Sequence, residues 1–290
     1  MGKKRFFDDR LKYLSFIQNT SEKRAISSEL TPFIASMPQN RTFLRILDAG
    51  TGDGTVKSNV IKTFHKYHPY TSLLITGKEI SYEDLKNTLE KMPDRFVEHP
   101  NLLVTMTNVK FAELGHIENA NKIKNKKVKV HNLILKEDNS FDFHTQINSL
   151  NNFIKKNWGI EIDNKSRTSY SNPCLIRIYR EDHKRYLEPF IDNDYENNNY
   201  DLIIASQAYR AASAVKTKVN NVIAPLMRLL NKSGRLLVTH SCGEDTVEKI
   251  LKIAYKDKKP FPNKAKDIID FLKNNPVGEN SRYAFSKPKP

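Results

Sequence analysis

Apolar positions along the chain follow two periods. Short continuous runs of strand type occur at Phe43-Leu-Arg-Ile-Leu-Asp48, Ser72-Leu-Leu-Ile-Thr76, Asn101-Leu-Leu-Val-Thr-Met106, Tyr200-Asp-Leu-Ile-Ile-Ala205 and Arg235-Leu-Leu-Val-Thr-His240. Between and after them the spacing becomes helical, over Val56 to Tyr67, Tyr82 to Met92, Val215 to Leu230, Val247 to Ala254 and Ala265 to Lys273, with Asn231-Lys-Ser-Gly234 as a turn. Strands that alternate with helices predict a parallel, doubly wound α/β sheet of Rossmann-like type. Residues 7–36 read as two further helices. Leu11, Leu14, Phe16 and Ile17 face one way in the first; Thr20 or Ser21 caps the second, which continues through Ala25, Ile26, Leu30 and Phe33.

The pattern breaks for residues 116–199. This stretch holds two strand-like runs, Lys127 to Leu135 and Cys174 to Tyr179, and a helix around Ile147 to Lys156. The expected organisation is therefore an N-terminal helical cap (1–40), a core in two pieces (41–115 and 200–290), and an α+β insertion (116–199) between the third and fourth strands. The insertion starts at a sheet end beside the ligand crevice of such folds, which suits a lid or a dimerisation arm. Its aromatics, Phe141, Phe143, Phe153, Trp158, Tyr170, Tyr179 and Tyr186, are expected to form a small core of their own.

Composition narrows the class. With 290 residues, 38% hydrophobic and 28% charged, the chain has enough apolar mass for a real core. No apolar run approaches membrane-spanning length, and Met1 to Asp9 lacks the apolar centre of a secretory signal. Phe6 occupies the Ser/Thr position of a myristoylation pattern. Two cysteines, Cys174 and Cys242, exclude a disulfide scaffold and suit a reducing, cytoplasmic setting. The net charge of +15 is spread along the chain instead of forming a basic tail, so nucleic acid ranks below a small molecule as partner. His131, His144 and His183 lack metal-ligand spacing, and no metal site is read.

The informative segment is Asp48-Ala-Gly50-Thr-Gly52-Asp53-Gly54, where a strand ends in an acid and a glycine-rich turn opens into a helix. A dinucleotide fingerprint, counted from Gly50, needs Gly or Ala at position 55, which is Thr55. No Lys-Ser/Thr pair stands at P-loop spacing. A carboxylate at the head of the loop repels a pyrophosphate and attracts an ammonium. The string resembles motif I of the class I S-adenosylmethionine-dependent methyltransferases. Glu79 at the end of the second strand, Tyr200 to Gln207 at the fourth, and Leu230-Asn-Lys-Ser-Gly-Arg-Leu-Leu-Val238 before the fifth resemble further motifs of that family.

The resemblance implies S-adenosylmethionine as cofactor. Gly50, Thr51, Gly52 and Gly54 would admit it, Asp48 or Asp53 would lie near its amino-acid end, and Glu79 with Ile80 would hold the ribose. Thr107 and Asn108, where many relatives carry an acid, and Ser206 with Gln207 would complete the site. A complete sheet of this family ends in a strand hairpin. Only Arg282 to Ser286 is left to supply it here, as a last strand or a loose tail.

The acceptor is less determined, because one fold serves many substrates. Ser206-Gln-Ala-Tyr209 replaces the Asn/Asp-Pro-Pro-Tyr/Phe box of base-amino methyltransferases. The segment Phe16 to Arg24 and the run Glu79-Ile-Ser-Tyr-Glu-Asp-Leu85 resemble the small-molecule histamine N-methyltransferase family. That likeness implies Glu22, Gln207 and Tyr209 as substrate contacts. Glu22 equally suits a first helical turn, where an acid favours the dipole. His240 at the end of the fifth strand is the candidate base, with Tyr209 to wall the pocket or orient the acceptor. The expected activity is methyl transfer to a small amine or other small metabolite. RNA or protein methylation, or a binding subunit without turnover, are the alternatives.

Overall fold

The computed structural model describes residues 22–117, 121–162, 168–191, 199–206, 208–241, 261–277 and 283–288. Its centre is a seven-stranded sheet built from β1 (Phe43–Ala49), β2 (Ser72–Lys78), β3 (Leu102–Thr107), β6 (Lys129–Leu135), β9 (Cys174–Arg180), β10 (Tyr200–Ala205) and β11 (Leu230–Val238). The order is β11-β10-β1-β2-β3-β9-β6. The five strands from β11 to β3 are mutually parallel, β9 runs antiparallel to β3, and β6 runs parallel to β9. The chain leaves β1 toward β2 on one side and returns through β10 on the other, as in Rossmann-like folds, so the strand order reverses between β1 and β10.

Helices cover both faces. α1 (Glu22–Ala35), α2 (Thr55–Tyr67), α3 (Tyr82–Glu90), α4 (Pro93–Glu98), α5 (Ser140–Asn148) and α6 (Asn151–Asn157) contribute to one apolar cluster. Leu44 and Ile46, Val104 and Met106, and Leu202 and Ile204 point into it. Leu47 and Ala49, and Ile203 and Ala205, point to the opposite face. That alternation, buried on both sides, explains why these strands read as continuous apolar runs. The second face is closed by α8 (Val215–Lys218), a π-turn (Val219–Ile223), α9 (Ala224–Met227) and α10 (Ala265–Asn274).

Residues 116–199 are joined to the sheet. They add a two-residue hairpin, β4 (Lys122–Ile123) with β5 (Lys126–Lys127), then β6, a ribbon of β7 (Ile160–Ile162) with β8 (Thr168–Tyr170), then β9 and α7 (Lys184–Ile191). The aromatics expected to form a separate core do not. Phe143 and Trp158 are buried in the main cluster, Tyr170 joins the opposite face, and Tyr179 packs beside Leu74 and Leu103. Phe141 and Tyr186 are exposed. The reason is that β9 pairs directly with β3, which makes the insertion's apolar side continuous with the sheet's own.

The expected turn at 231–234 lies inside β11. Tyr200 pairs with Leu230 and Leu202 with Arg235, so the four intervening residues bulge out of register. Residues 283–288 form no strand, so β11 is one edge of the sheet among the described residues and β6 the other. The expected helix at Val247 to Ala254, the first N-terminal helix, the caps Thr20 and Ser21, and Gln207 lie outside the described residues. No helix among the described residues is long and apolar enough to cross a membrane.

Candidate ligand site at the glycine loop

The loop leaves β1 at the point where the strand order reverses, and opens into α2. Gly50, Gly52 and Gly54 have φ of 100°, 58° and 78°, in the left-handed region that favours glycine. Two of them are there for different reasons. A Cβ on Gly54 would stand 2.7 Å from the Thr88 Cα, so close packing of α3 demands glycine. A Cβ on Gly52 would meet nothing within 4 Å, and Gly52 lines an open cavity.

Backbone amides pin the loop to the end of β2. Gly50 and Thr51 donate to the Lys78 carbonyl at 3.1 and 3.0 Å. Gly52 donates to Glu79 Oε2 at 2.8 Å, and Ile80 and Ser81 both donate to Glu79 Oε1 at 2.8 Å. A carboxylate accepts about four hydrogen bonds. Three are taken here, which leaves Glu79 one acceptor position on the wall of the cavity.

The cavity has a volume of about 280 Å3. Its walls are the loop, the end of β2 (Lys78, Glu79, Ile80), the first turns of α1 (Glu22, Lys23, Ile26), the exit of β10 (Ser206, Ala208) and Phe111. Carboxylates outnumber lysines in this lining. Asp53 is ion-paired with Lys23; burial would raise its carboxyl, but the Lys23 and Thr55 hydrogen bonds outweigh that and hold it below the usual range. Lys78 is pushed down by burial against the pull of Glu79 and Glu113, and its ammonium lies 4.9 Å from the centre of the Phe111 ring.

Asp48 forms the floor. It is 1% exposed, and its Oδ2 has no hydrogen-bond partner. Burial pushes its carboxyl up to about 6, opposed first by the charge of Lys57. Lys57, on α2, is fully buried, and its ammonium donates to the Met106 thioether at 3.1 Å. Burial pushes Lys57 down to about 8 against the pull of Asp48.

Several expected site residues lie elsewhere. The Thr107 hydroxyl donates to the Cys174 carbonyl at 2.8 Å. The Asn108 amide donates to the Asn172 carbonyl at 2.9 Å and accepts from the Cys174 N–H at 2.9 Å. Both side chains are buried and tie β3 to the start of β9, and neither lines the cavity. Tyr209 and His240 do meet, with the hydroxyl 3.4 Å from Nδ1, but neither is part of the lining, although Tyr209 directly follows Ala208. His240 Nε2 lies 2.8 Å from the Asn263 carbonyl, so that nitrogen carries the proton and Nδ1 accepts from the tyrosine. Burial lifts Tyr209 to about 12 and lowers His240, which leaves both neutral near pH 7.

Lys23, Lys57, Lys78 and Phe111 are among the lining or supporting residues that the sequence did not single out. Lys23 stood next to a candidate acid, and Lys78 immediately precedes Glu79. Neither Lys57 nor Phe111 carries a local signal. Among the described residues, no group of three or more His, Cys, Asp or Glu is placed to hold a metal ion.

No protein-family model matches the chain, and no curated protein is significantly similar to it. Among solved structures, the rRNA methyltransferase aviRa from Streptomyces viridochromogenes is similar over 73% of this chain and 71% of its own, at 10% identity and a TM-score of 0.27. A likeness that remote has no bearing on the site.

Proposed function

We propose that the chain is an S-adenosylmethionine-dependent methyltransferase acting on a small amine. The observation that carries this reading is the floor of the cavity. An acidic, partnerless Asp48 oxygen lies under a glycine loop whose Gly52 leaves open space, next to a Glu79 with one acceptor position to spare. Carboxylates in such a place suit a ligand with an ammonium and ribose hydroxyls. Ile80 and Phe111 offer apolar surface for a base.

When bound, the cofactor supplies a methyl group on a sulfonium, ready for in-line displacement. The protein's own task is then positioning and charge management. Glu22, which lines the same cavity, orients an amine through its carboxylate; Ile26 and Phe111 limit water. Tyr209, next in the chain to the lining residue Ala208, and its partner His240 remain the candidates for handling the acceptor.

Calorimetry with S-adenosylhomocysteine tests the cofactor assignment. Binding to the wild type, with loss in Gly52→Arg and Glu79→Ala, is the expected result. Undiminished binding in both variants refutes it. A tritiated-methyl screen over amines then addresses the acceptor.

A second reading, nucleic-acid methylation, is favoured by the β4–β5 hairpin. Lys122 and Lys127 are exposed there, as is Lys129 at the start of β6, while Lys124 is ion-paired at 3.2 Å with Glu113, on the same short helical segment as Phe111. RNA affinity that falls steeply with salt would support it.

A further inference from the structure

Lys57 is a cation placed where neither solvent nor a close ion pair accounts for it. Asp48 on β1 pairs in register with Gly77 on β2, and Gly77 with Met106 on β3. These three positions form a cross-strand row on one face of the sheet. The row has a gap at Gly77: a Cβ built there would collide with the Lys57 ammonium and lie 2.7 Å from both the Met106 sulfur and the Thr51 hydroxyl. The Lys57 side chain fills that gap. A thioether is a weak acceptor and compensates little of the cost of burying an ammonium. The compensation that remains is electrostatic and comes from Asp48.

We propose, on the cofactor reading above, that Lys57 is a positioning residue: its buried charge keeps Asp48 ionised on the cavity floor, so that Asp48 can receive the ammonium of the ligand's amino-acid end. The charged groups around Asp48 come from three elements. Lys57 on α2 and Lys23 on α1 favour its charge, and Glu79 after β2 opposes it. From β10 the register neighbour is Ile204, which brings none. Lys23 is engaged with Asp53, which leaves Lys57 as the counter-charge that sets the state of Asp48. The glycine at position 77 thus belongs to the site although it touches no ligand; it houses the ammonium.

The test compares S-adenosylhomocysteine with 5′-methylthioadenosine, which keeps the nucleoside and lacks the amino-acid end. Affinities are measured by calorimetry from pH 5 to pH 8.5 on the wild type and on Lys57→Met. In the wild type, S-adenosylhomocysteine affinity declines as pH falls through about 6, while 5′-methylthioadenosine affinity stays level. In Lys57→Met the decline moves at least one pH unit upward, and S-adenosylhomocysteine binding at pH 7 weakens about tenfold with 5′-methylthioadenosine unchanged. Equal weakening of both ligands, or an unmoved pH profile, overturns the proposal. If Lys57→Met does not fold, Gly77→Ala decides, because its Cβ displaces the Lys57 ammonium: an upward move of the decline confined to S-adenosylhomocysteine upholds the proposal, and an unmoved profile overturns it. A wild type that binds neither ligand removes the cofactor reading itself, a result distinct from either.

Discussion

Polar groups are buried at both ends of the sheet, and the two ends treat them differently. At the N-terminal ends of β2 and β3, His99 is fully buried with both ring nitrogens engaged, Nε2 with the Thr71 carbonyl at 3.0 Å and Nδ1 with His65 at 3.2 Å. His68 donates to the Ile34 carbonyl at 2.8 Å, and His183 bonds Asn101. Burial holds the His99 and His183 rings below the ordinary histidine value, and all three rings pack with at least one ring nitrogen hydrogen-bonded, the His68 Nδ1 being left without a partner. The charges buried at that end, Arg95 and Arg180, are ion-paired with Glu98 and Asp182, whereas those at the C-terminal ends are poorly partnered: Asp48 has a partnerless oxygen, and Lys57 lies against a thioether. A satisfied neutral ring costs little to bury, and an ill-satisfied charge costs several kcal/mol. One end is built for stability, and the other holds charge ready for something outside the chain.

The comparison can be broken most sharply at the glycines. Gly52→Arg should lower S-adenosylhomocysteine affinity more than about 100-fold while costing only the ~1 kcal/mol of left-handed backbone, because its side chain enters open space. Gly54→Ala should instead lower stability by about 2–3 kcal/mol in urea denaturation, since its Cβ meets the backbone of α3. If both lose stability alike, the loop is packing throughout.

The charged pair comes next. Asp48→Asn and Lys57→Met should each cost about 3 kcal/mol, and the double variant should recover most of that, because the penalty lies in leaving one charge buried alone. Strictly additive losses in the denaturation cycle would mean the two do not interact.

The histidine end gives a pH prediction. Burial and the nearby His65 hold His99 down at about 4, from 6.5 in the unfolded chain. The unfolded state therefore takes up the proton first, and stability falls as pH drops from about 6.5 toward 4. The loss amounts to about 3 kcal/mol. His99→Gln should flatten that part of the stability profile, measured by denaturation at pH 7 and pH 5. The smallest effect belongs to Tyr209→Phe. A hydrogen bond of 3.4 Å to a half-buried ring should cost less than about 1 kcal/mol and leave cofactor affinity unchanged, as titration calorimetry would register.

Much of the architecture was legible because it is local. Strands β1, β2, β3 and β10 announce themselves by period and lie within two residues of their expected bounds, as β11 does apart from its start, which takes in the expected turn. The loop with its three left-handed glycines was equally plain, since backbone conformation there follows from residue type. Thr107 and Asn108 show what a local reading does not contain. Their position at a strand end promised a ligand contact, but β9 arrives from some 65 residues further along and takes their hydrogen bonds.

What the chain determined by itself was therefore the set of elements, their alternation and the acid-headed glycine turn, all consequences of patterns a few residues long. Which side chains share the cavity was decided only when the sheet assembled. The gap at Gly77 and the burial of Lys57 exist because three strands lie in one register under one helix. Likewise β6 and β9 became sheet strands because β3 offered an open edge. Register and edge pairing depend on partners distant in the chain, and burial, which turns an ordinary lysine into a buried charge, is a property of the assembled neighbours alone.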